Sequence, residues 1–251
     1  MCLIVLAWRR HPRWRLVVAA NRDEFHARPT QAAARWSEGG VVAGRDLVAG
    51  GTWLGVTPGG RFAALTNVRE PGVPRRPDAP SRGELVRGFL LGDASPVAYV
   101  DGLDGGAYAG FNLLVSDGEA LVWTSNRGGR RALGPGVYGV SNGFLDTPWP
   151  KVSSGKRALS AALDAAEPED EALFALLADR SAPPDAALPD TGVGLDLERR
   201  LAPRFLLGEA YGTRCSTVVW LDAQGGCRFT ERSFDPAGAV TGTQRFDWAR
   251  P

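Results

Sequence analysis

The chain has 251 residues, enough for one large core, and no Ser/Gly-rich linker or charge block divides it, so a single domain over 1–251 is expected. Its 29 basic and 28 acidic residues leave a net charge of +1, which provides no field to draw nucleic acid or an anionic bilayer. No run approaches the roughly 18 apolar residues of a membrane helix, the start lacks a secretory-signal pattern, and three cysteines without CxxC spacing argue against a disulfide framework or structural zinc; no membrane insertion and a cytoplasmic location are therefore expected.

Residues 3–8 and 14–20 are apolar, β-rich runs joined by Arg9-Arg10-His11-Pro12-Arg13, a predicted hairpin that sets the first strand beside Asn21-Arg22-Asp23-Glu24. A second hairpin reads as 52–56, the turn Pro58-Gly59-Gly60, and 61–67, with Asn67 ending its strand. Ser81 followed by Glu84 resembles a capping box, and Leu85, Val86, Phe89 and Leu90 share one face of a predicted helix of about three turns. Residues 111–115 and 120–124 make a third hairpin through Asp117-Gly118, and 137–141 a short strand. Helical spacing returns over 151–166 and 169–178, a Pro/Asp-rich loop follows over 181–190, and strands are predicted at 216–221 and 227–231. Strands, then helices, then strands, without strand–helix alternation, indicate a layered α+β fold.

Cys2 is the most informative residue. Removal of Met1 alone would leave a cysteine with a free α-amine, which places a nucleophile beside its own base, because an amine of pKa about 7.7–8 can take the thiol proton near neutrality. As a plain structural residue, Cys2 would simply open a buried strand. The polar run Asn21-Arg22-Asp23-Glu24 could be a solvated turn, or could supply an acceptor to orient the amine and a guanidinium to favour the thiolate. Asn67 and Asn142 end β-like runs; each suits a turn, and each could donate to an oxyanion. Arg214 enters a late strand and could meet a thiolate or a carboxylate, or be solvated. The pairs Gly50-Gly51 and Gly59-Gly60 lack the company of a phosphate loop, and the two histidines, His11 and His26, show no metal-binding spacing.

The motifs Met1-Cys2-Leu3-Ile4, Ala20-Asn21-Arg22-Asp23-Glu24-Phe25, Gly50-Gly51-Thr52-Trp53-Leu54-Gly55, Ala64-Leu65-Thr66-Asn67, Ser141-Asn142, Leu145-Asp146-Thr147-Pro148-Trp149-Pro150-Lys151-Val152 and Tyr211-Gly212-Thr213-Arg214 run in order along nearly the whole chain. In them the sequence resembles the NRDE proteins, also called the Transport and Golgi organisation protein 2 family. That family in turn resembles N-terminal nucleophile hydrolases of the penicillin V acylase and bile salt hydrolase group. The resemblance implies a four-layer αββα sandwich and a cysteine-dependent hydrolase or acyltransferase acting on a small amide, ester or thioester. It nominates Cys2, Arg22, Asp23, Asn67, Asn142 and Arg214 as catalytic, without a cofactor. Arg22 and Asp23 are adjacent here, whereas the hydrolases keep a gap between their Arg and Asp, so either Arg22 or Asn21 fills one of those roles. The same motifs offer Asn21, Glu24, Thr52 and Trp53 as substrate-contacting positions. The resemblance also implies an alternative, a carrier of haem or acyl-CoA lipid that turns nothing over. Glutamine amidotransferases also begin Met-Cys, but their Cys-Gly-Ile opening is Cys2-Leu3-Ile4 here.

Overall fold

The computed structural model describes residues 2–74, 78–165 and 168–249. The chain opens with β1 (Cys2–Trp8), β2 (Trp14–Phe25), β3 (Thr30–Arg35), β4 (Val42–Asp46), β5 (Leu54–Val56) and β6 (Phe62–Asn67). Helices α1 (Gly83–Leu91) and α2 (Pro96–Asp101) follow, then β7 (Phe111–Ser116), β8 (Leu121–Ser125), β9 (Gly129–Ala132) and β10 (Gly136–Val140). Helices α3 (Pro150–Leu163), α4 (Asp170–Leu177) and α5 (Leu195–Leu201) precede the closing strands β11 (Tyr211–Asp222), β12 (Cys227–Phe234) and β13 (Val240–Trp248).

Among the described residues the strands form two antiparallel sheets, one ordered β10-β1-β2-β11-β12-β13 and the other β3-β4-β5-β6-β7-β8-β9. Because strand side chains alternate, β1 and β2 feed two different cores. Ile4, Leu6, Trp8, Leu16, Val18 and Ala20 pack between the sheets against Val56, Phe62 and Leu114. Leu3, Val5, Ala7, Val17 and Ala19 pack outward against Val152, Leu159 and Leu163 of α3 and Leu173, Phe174 and Leu177 of α4. The second sheet repeats this arrangement, with Ala63, Leu65, Leu113 and Val115 under Leu85, Val86, Phe89 and Leu90 of α1. Helices therefore cover both outer faces, and the fold is a four-layer αββα sandwich. Burial of these three apolar layers, at about 25 cal/mol per Å² removed from water, is the main stabilising term.

The three predicted hairpins form, with β2 running on through Phe25, so that Asn21, Arg22, Asp23 and Glu24 lie within a strand. Ser81 does not make a capping box: Arg82 takes the N-cap position of α1 without a side-chain bond, and the Ser81 Oγ accepts from Gly83 N–H at 3.3 Å. Helix α3 begins at Pro150, where the missing N–H costs nothing, and ends at Leu163; the predicted end at Ala166 lies outside the described residues. The predicted loop over 181–190 contains the short 3-10 turn Asp185–Ala187.

Candidate functional site

Cys2 is the first residue of β1 and pairs directly with Arg22 on β2, so by alternation both point towards the layer between the sheets. Asn67 ends β6 in the opposite sheet. The residues that join these two ends come from the segment after β10. The Ser141 hydroxyl donates to the Cys2 carbonyl at 2.8 Å, and the Asn142 Nδ2 donates to the Asn67 carbonyl at 2.7 Å. Ser141 is held in turn by the second sheet. Its carbonyl accepts from the Thr66 hydroxyl at 2.5 Å, and the Asn112 Nδ2 bonds Thr66 Oγ1 at 3.0 Å and the Gly143 carbonyl at 2.7 Å. One buried polar chain therefore ties the nucleophile candidate on one sheet to the amide candidate on the other.

A solvent-open cleft of about 740 Å³ lies at this junction, lined by Cys2, Arg22, Asp23, Glu24, Thr52, Trp53 and Asn67 among others. Arg22 is buried, with its guanidinium 4.4 Å from the centre of the Trp53 ring, Nη1 3.4 Å from the Thr30 hydroxyl and Nη2 3.8 Å from the Glu24 carboxylate. The Thr52 hydroxyl donates to the Leu54 carbonyl at 3.2 Å, which fixes the turn that presents Trp53. The Asn67 side-chain amide has no hydrogen bond to another side chain or backbone group among the described residues, so it is available to a ligand in the cleft.

Asp23 lies on the other face of β2, towards the helices, at the edge where the cleft meets that layer. Its Oδ1 accepts from the Thr213 hydroxyl at 2.7 Å, and its carbonyl accepts from the Tyr211 hydroxyl at 2.9 Å. Burial raises its carboxyl above the usual carboxylate range, against the attraction of Lys151, the Thr213 hydroxyl and Arg22. Burial likewise pushes the half-buried Cys2 thiol above its ordinary value. The Asp23 carboxylate adds to that rise, while the Asp23 backbone N–H and Arg22 oppose it.

Three nominated residues are not brought to the cleft. Asn21 points beneath the helices, where its Nδ2 donates to the Leu177 and Arg204 carbonyls at 3.0 and 2.8 Å and its Oδ1 accepts from Ser216 Oγ at 2.6 Å. One-residue alternation from Arg22 requires this, so Asn21 and Arg22 cannot exchange roles at Cys2. The Asn142 amide is committed to Asn67, as described above. Arg214 is the extra residue of a β-bulge, since Thr213 pairs with Asp23 and Cys215 with Arg22. Its Nη1 bonds the carbonyls of Phe25, His26 and Arg28 at 2.9, 3.2 and 3.1 Å, closing the turn after β2.

The geometry adds residues that the motifs did not single out for a role. Lys151 is buried in the first turn of α3, with Nζ donating to the Leu201 carbonyl at 2.8 Å. Its sequence signal was present: Lys151, Gly155, Leu159 and Leu163 recur at spacing four on the buried stripe of the helix. Glu231 is buried between the sheets, accepting from the Ala33 N–H at 2.7 Å and the Thr217 hydroxyl at 3.2 Å, and burial raises its carboxyl. His11 accepts backbone N–H bonds in the first hairpin turn, and His26 is not among the residues lining the cleft. No group of three or more His, Cys, Asp and Glu side chains among the described residues is arranged to hold a metal ion.

The αββα architecture has a counterpart among solved structures. The Caenorhabditis elegans ortholog of N-acylethanolamine-hydrolyzing acid amidase superposes with a TM-score of 0.50, over 86% of this chain and 92% of that one. At 14% identity this likeness is one of fold. In sequence, a Bos taurus protein described as Transport and Golgi organization protein 2 homolog is 38% identical over 98% of this chain and 99% of its own length. The Homo sapiens homolog of the same description is 36% identical over 93% of each. Together with the match of residues 1–236 to the family profile for Transport and Golgi organisation 2, these relatives establish that the chain belongs to that family.

Proposed function

We propose that the protein is a cysteine-dependent N-terminal nucleophile hydrolase or acyltransferase acting on a small amide, ester or thioester. The observation that carries this reading is the convergence of Cys2, Arg22 and Asn67 from two different sheets on one open cleft. Once Met1 is removed, the Cys2 α-amine takes the thiol proton and the sulfur attacks the substrate carbonyl. The carbonyl oxygen becomes negative and accepts from the Asn67 amide, an interaction whose loss typically costs about 3 kcal/mol of transition-state stabilisation. Collapse of the tetrahedral adduct expels the amine, alcohol or thiol with the proton held by the α-amine, and leaves a thioester on Cys2. Water, or an acceptor amine or alcohol, then regenerates the thiol. In this scheme Asp23 orients the amine, Arg22 stabilises negative charge on the sulfur, and Asn142 and Ser141 hold Asn67 and Cys2 in register. The structural neighbour's name specifies an amide as its substrate, so amides head the substrate screen. Three free cysteines suit the reducing cytoplasm, which is where we place the reaction.

The carrier reading is favoured by the partial burial of Cys2 at the start of β1, because burial disfavours the thiolate that a hydrolase needs. A carrier of acyl-CoA would use the cleft arginines Arg22, Arg28 and Arg82 to meet phosphate. For haem the donor set is poor: with His26 outside the cleft lining, Cys2 is the nominated donor left there. The deciding experiment screens acyl amides, esters and thioesters with wild type and Cys2→Ser, beside haem and acyl-CoA titrations of both. Turnover lost by orders of magnitude in a folded Cys2→Ser supports the hydrolase. Tight binding without turnover, unchanged by Cys2→Ser, sinks it in favour of the carrier.

A further inference from the structure

The cleft does not end at Asn67. A second cavity of about 400 Å³ adjoins it: Asn67, Arg82 and Ala109 line both, whereas Cys2 lines the first alone. Both volumes fall in the range of small-molecule sites. The Asn67 amide, the donor to the oxyanion in the scheme above, therefore stands where two lobes of one groove meet. The lobes differ in chemistry. In the first, Arg28 pairs with Asp46 at 2.8 Å and Arg22 faces Glu24 at 3.8 Å, so the lining is ionic. The second takes its wall from Val68, Val73 and Pro74 after β6 and from Tyr108 and Ala109 before β7. Val73 is 56% exposed and shares this cavity with other apolar side chains, so a ligand there removes apolar surface from water.

Hydrogen bonds fix both segments of that wall. The Asn126 Nδ2 donates to the carbonyls of Gly105, Tyr108 and Ala109 at 2.8, 3.2 and 3.3 Å, and its Oδ1 accepts from Phe111 N–H at 2.9 Å. The Tyr108 ring packs edge-on against Phe111, with centroids 6.0 Å apart. Glu70 joins the two segments, one oxygen accepting from Gly110 N–H at 2.9 Å and the other from Arg127 Nε at 2.6 Å, while Val68 N–H donates to the Gly110 carbonyl at 3.0 Å. Glu70 and Arg127 neutralise each other, and the remaining charged residue of the lobe, Arg82, stands with Asn67 among those common to both lobes.

We propose that the second lobe is the acyl-arm subsite, that it takes an uncharged apolar arm, and that Val73 and Tyr108 set the preference for it. This rests on the reading of Cys2 as the nucleophile that accepts the acyl group. The assignment of arms follows from the order in which bonds form. Attack by sulfur forms the C–S bond and expels the amine, alcohol or thiol with its proton. Water or an acceptor then bonds to the same carbon, the C–S bond breaks, and the proton of the incoming group passes to the sulfur. The acyl arm stays attached through both steps, while leaving group and acceptor exchange places. Exchange calls for the open, ionic lobe that holds Cys2, and the arm that stays calls for the fixed apolar wall beyond Asn67.

The test is kcat/KM for p-nitrophenyl esters of straight-chain acids, lengthened from acetyl to octanoyl, in wild type, Val73→Asp and Phe25→Asp. The leaving group is constant, so only the acyl arm changes, and both replaced side chains are exposed, so neither substitution opens a core. Wild type is expected to gain about four-fold per methylene, the transfer of one CH₂ out of water, until the lobe is filled. Val73→Asp should abolish most of that gain, and Phe25→Asp, on the wall of the first lobe, should keep it. The gain is a ratio within one variant, so a general loss of active protein does not imitate it. Acetate esters of straight-chain alcohols lengthen the other arm, and there Val73→Asp should follow the wild-type profile. Turnover without a gain in wild type, a gain that survives Val73→Asp, one lost instead in Phe25→Asp, or an effect of Val73→Asp confined to the alcohol series overturns the subsite and leaves the hydrolase reading standing. If no ester is turned over and none adds its acyl mass to Cys2, the hydrolase reading falls and the subsite falls with it.

Discussion

Thr66→Val tests whether the buried chain between the sheets holds the cleft together. The Thr66 hydroxyl is fully buried, donates to the Ser141 carbonyl at 2.5 Å and accepts from the Asn112 Nδ2 at 3.0 Å. Valine keeps nearly the same volume and leaves no cavity, so the loss is polar. Asn112 Nδ2 keeps the Gly143 carbonyl at 2.7 Å, but the Ser141 carbonyl keeps only a long contact with Asn112 at 3.5 Å. One buried acceptor is thus left almost unsatisfied, a cost of about 2 kcal/mol. For a chain of this size that corresponds to a fall in melting temperature of roughly 4–8 °C. Because Ser141 also donates to the Cys2 carbonyl and its neighbour Asn142 to Asn67, the same change should alter the iodoacetamide reactivity of Cys2. The assay is thermal unfolding together with alkylation kinetics. A change in stability below about 0.5 kcal/mol with unchanged Cys2 reactivity would refute the idea that this chain sets the site.

Further predictions concern processing, electrostatics and the cleft wall. Intact mass of native protein should show Met1 absent, since Cys2 is a small second residue and the proposed base is its amine; a preparation retaining Met1 in most molecules would remove that base. The Glu231 carboxyl is raised by burial, so the native state binds more protons than the unfolded one between the ordinary carboxylate pKa of about 4.3 and the raised native value. Stability from this group is full below that window and is lost as pH rises through it. Glu231→Gln should therefore gain on wild type as pH increases, and parallel urea-denaturation curves at every pH would contradict the burial argument. A Cβ added at Gly44 would sit 2.2 Å from the Trp53 ring, so Gly44→Ala should displace Trp53 from the Arg22 guanidinium and quench or shift its fluorescence if that packing holds.

Hairpins were legible where turn chemistry and alternating apolar runs agree, as at Asp117-Gly118 between β7 and β8 and at Pro58-Gly59-Gly60 between β5 and β6. The elements absent from the sequence reading lack one of those signals. Strand β3 is Thr-Gln-Ala-Ala-Ala-Arg, whose alanines carry little strand preference, and it is held by pairing with β4 and by Glu231 accepting from Ala33. Strands β9 and β13 are sheet edges with mostly exposed side chains, so neither has an apolar face to read. Helix α5 buries only Glu198 among its own residues, and its place comes from Arg69, Thr191 and Lys151, which lie far off in sequence or in another element. The αββα layering came from the family resemblance, because no local pattern specifies which sheet face meets which helix.

Asn21-Arg22-Asp23-Glu24 looks like one polar cluster when read as a string, but a strand divides it by parity. Arg22 and Glu24 take the face shared with Cys2, where a guanidinium and a carboxylate meet at 3.8 Å beside Trp53. Asn21 and Asp23 take the helix face, where one amide satisfies two helix-layer carbonyls and one carboxylate meets Thr213 and the field of Lys151. The bulge at Arg214 completes the division. With one extra residue in β11, Thr213 faces Asp23 and Cys215 faces Arg22, so the hydroxyl reaches the carboxylate while the Arg214 side chain is released to close the turn at Phe25. Without the bulge a single register step would exchange the faces of every residue beyond it, and Thr213 would lose Asp23. Sequence motifs therefore identified a set of side chains that act on two sides of one sheet. What couples the sides is the start of β1, where the Cys2 sulfur turns towards the cleft and its backbone meets the strand that carries Asp23.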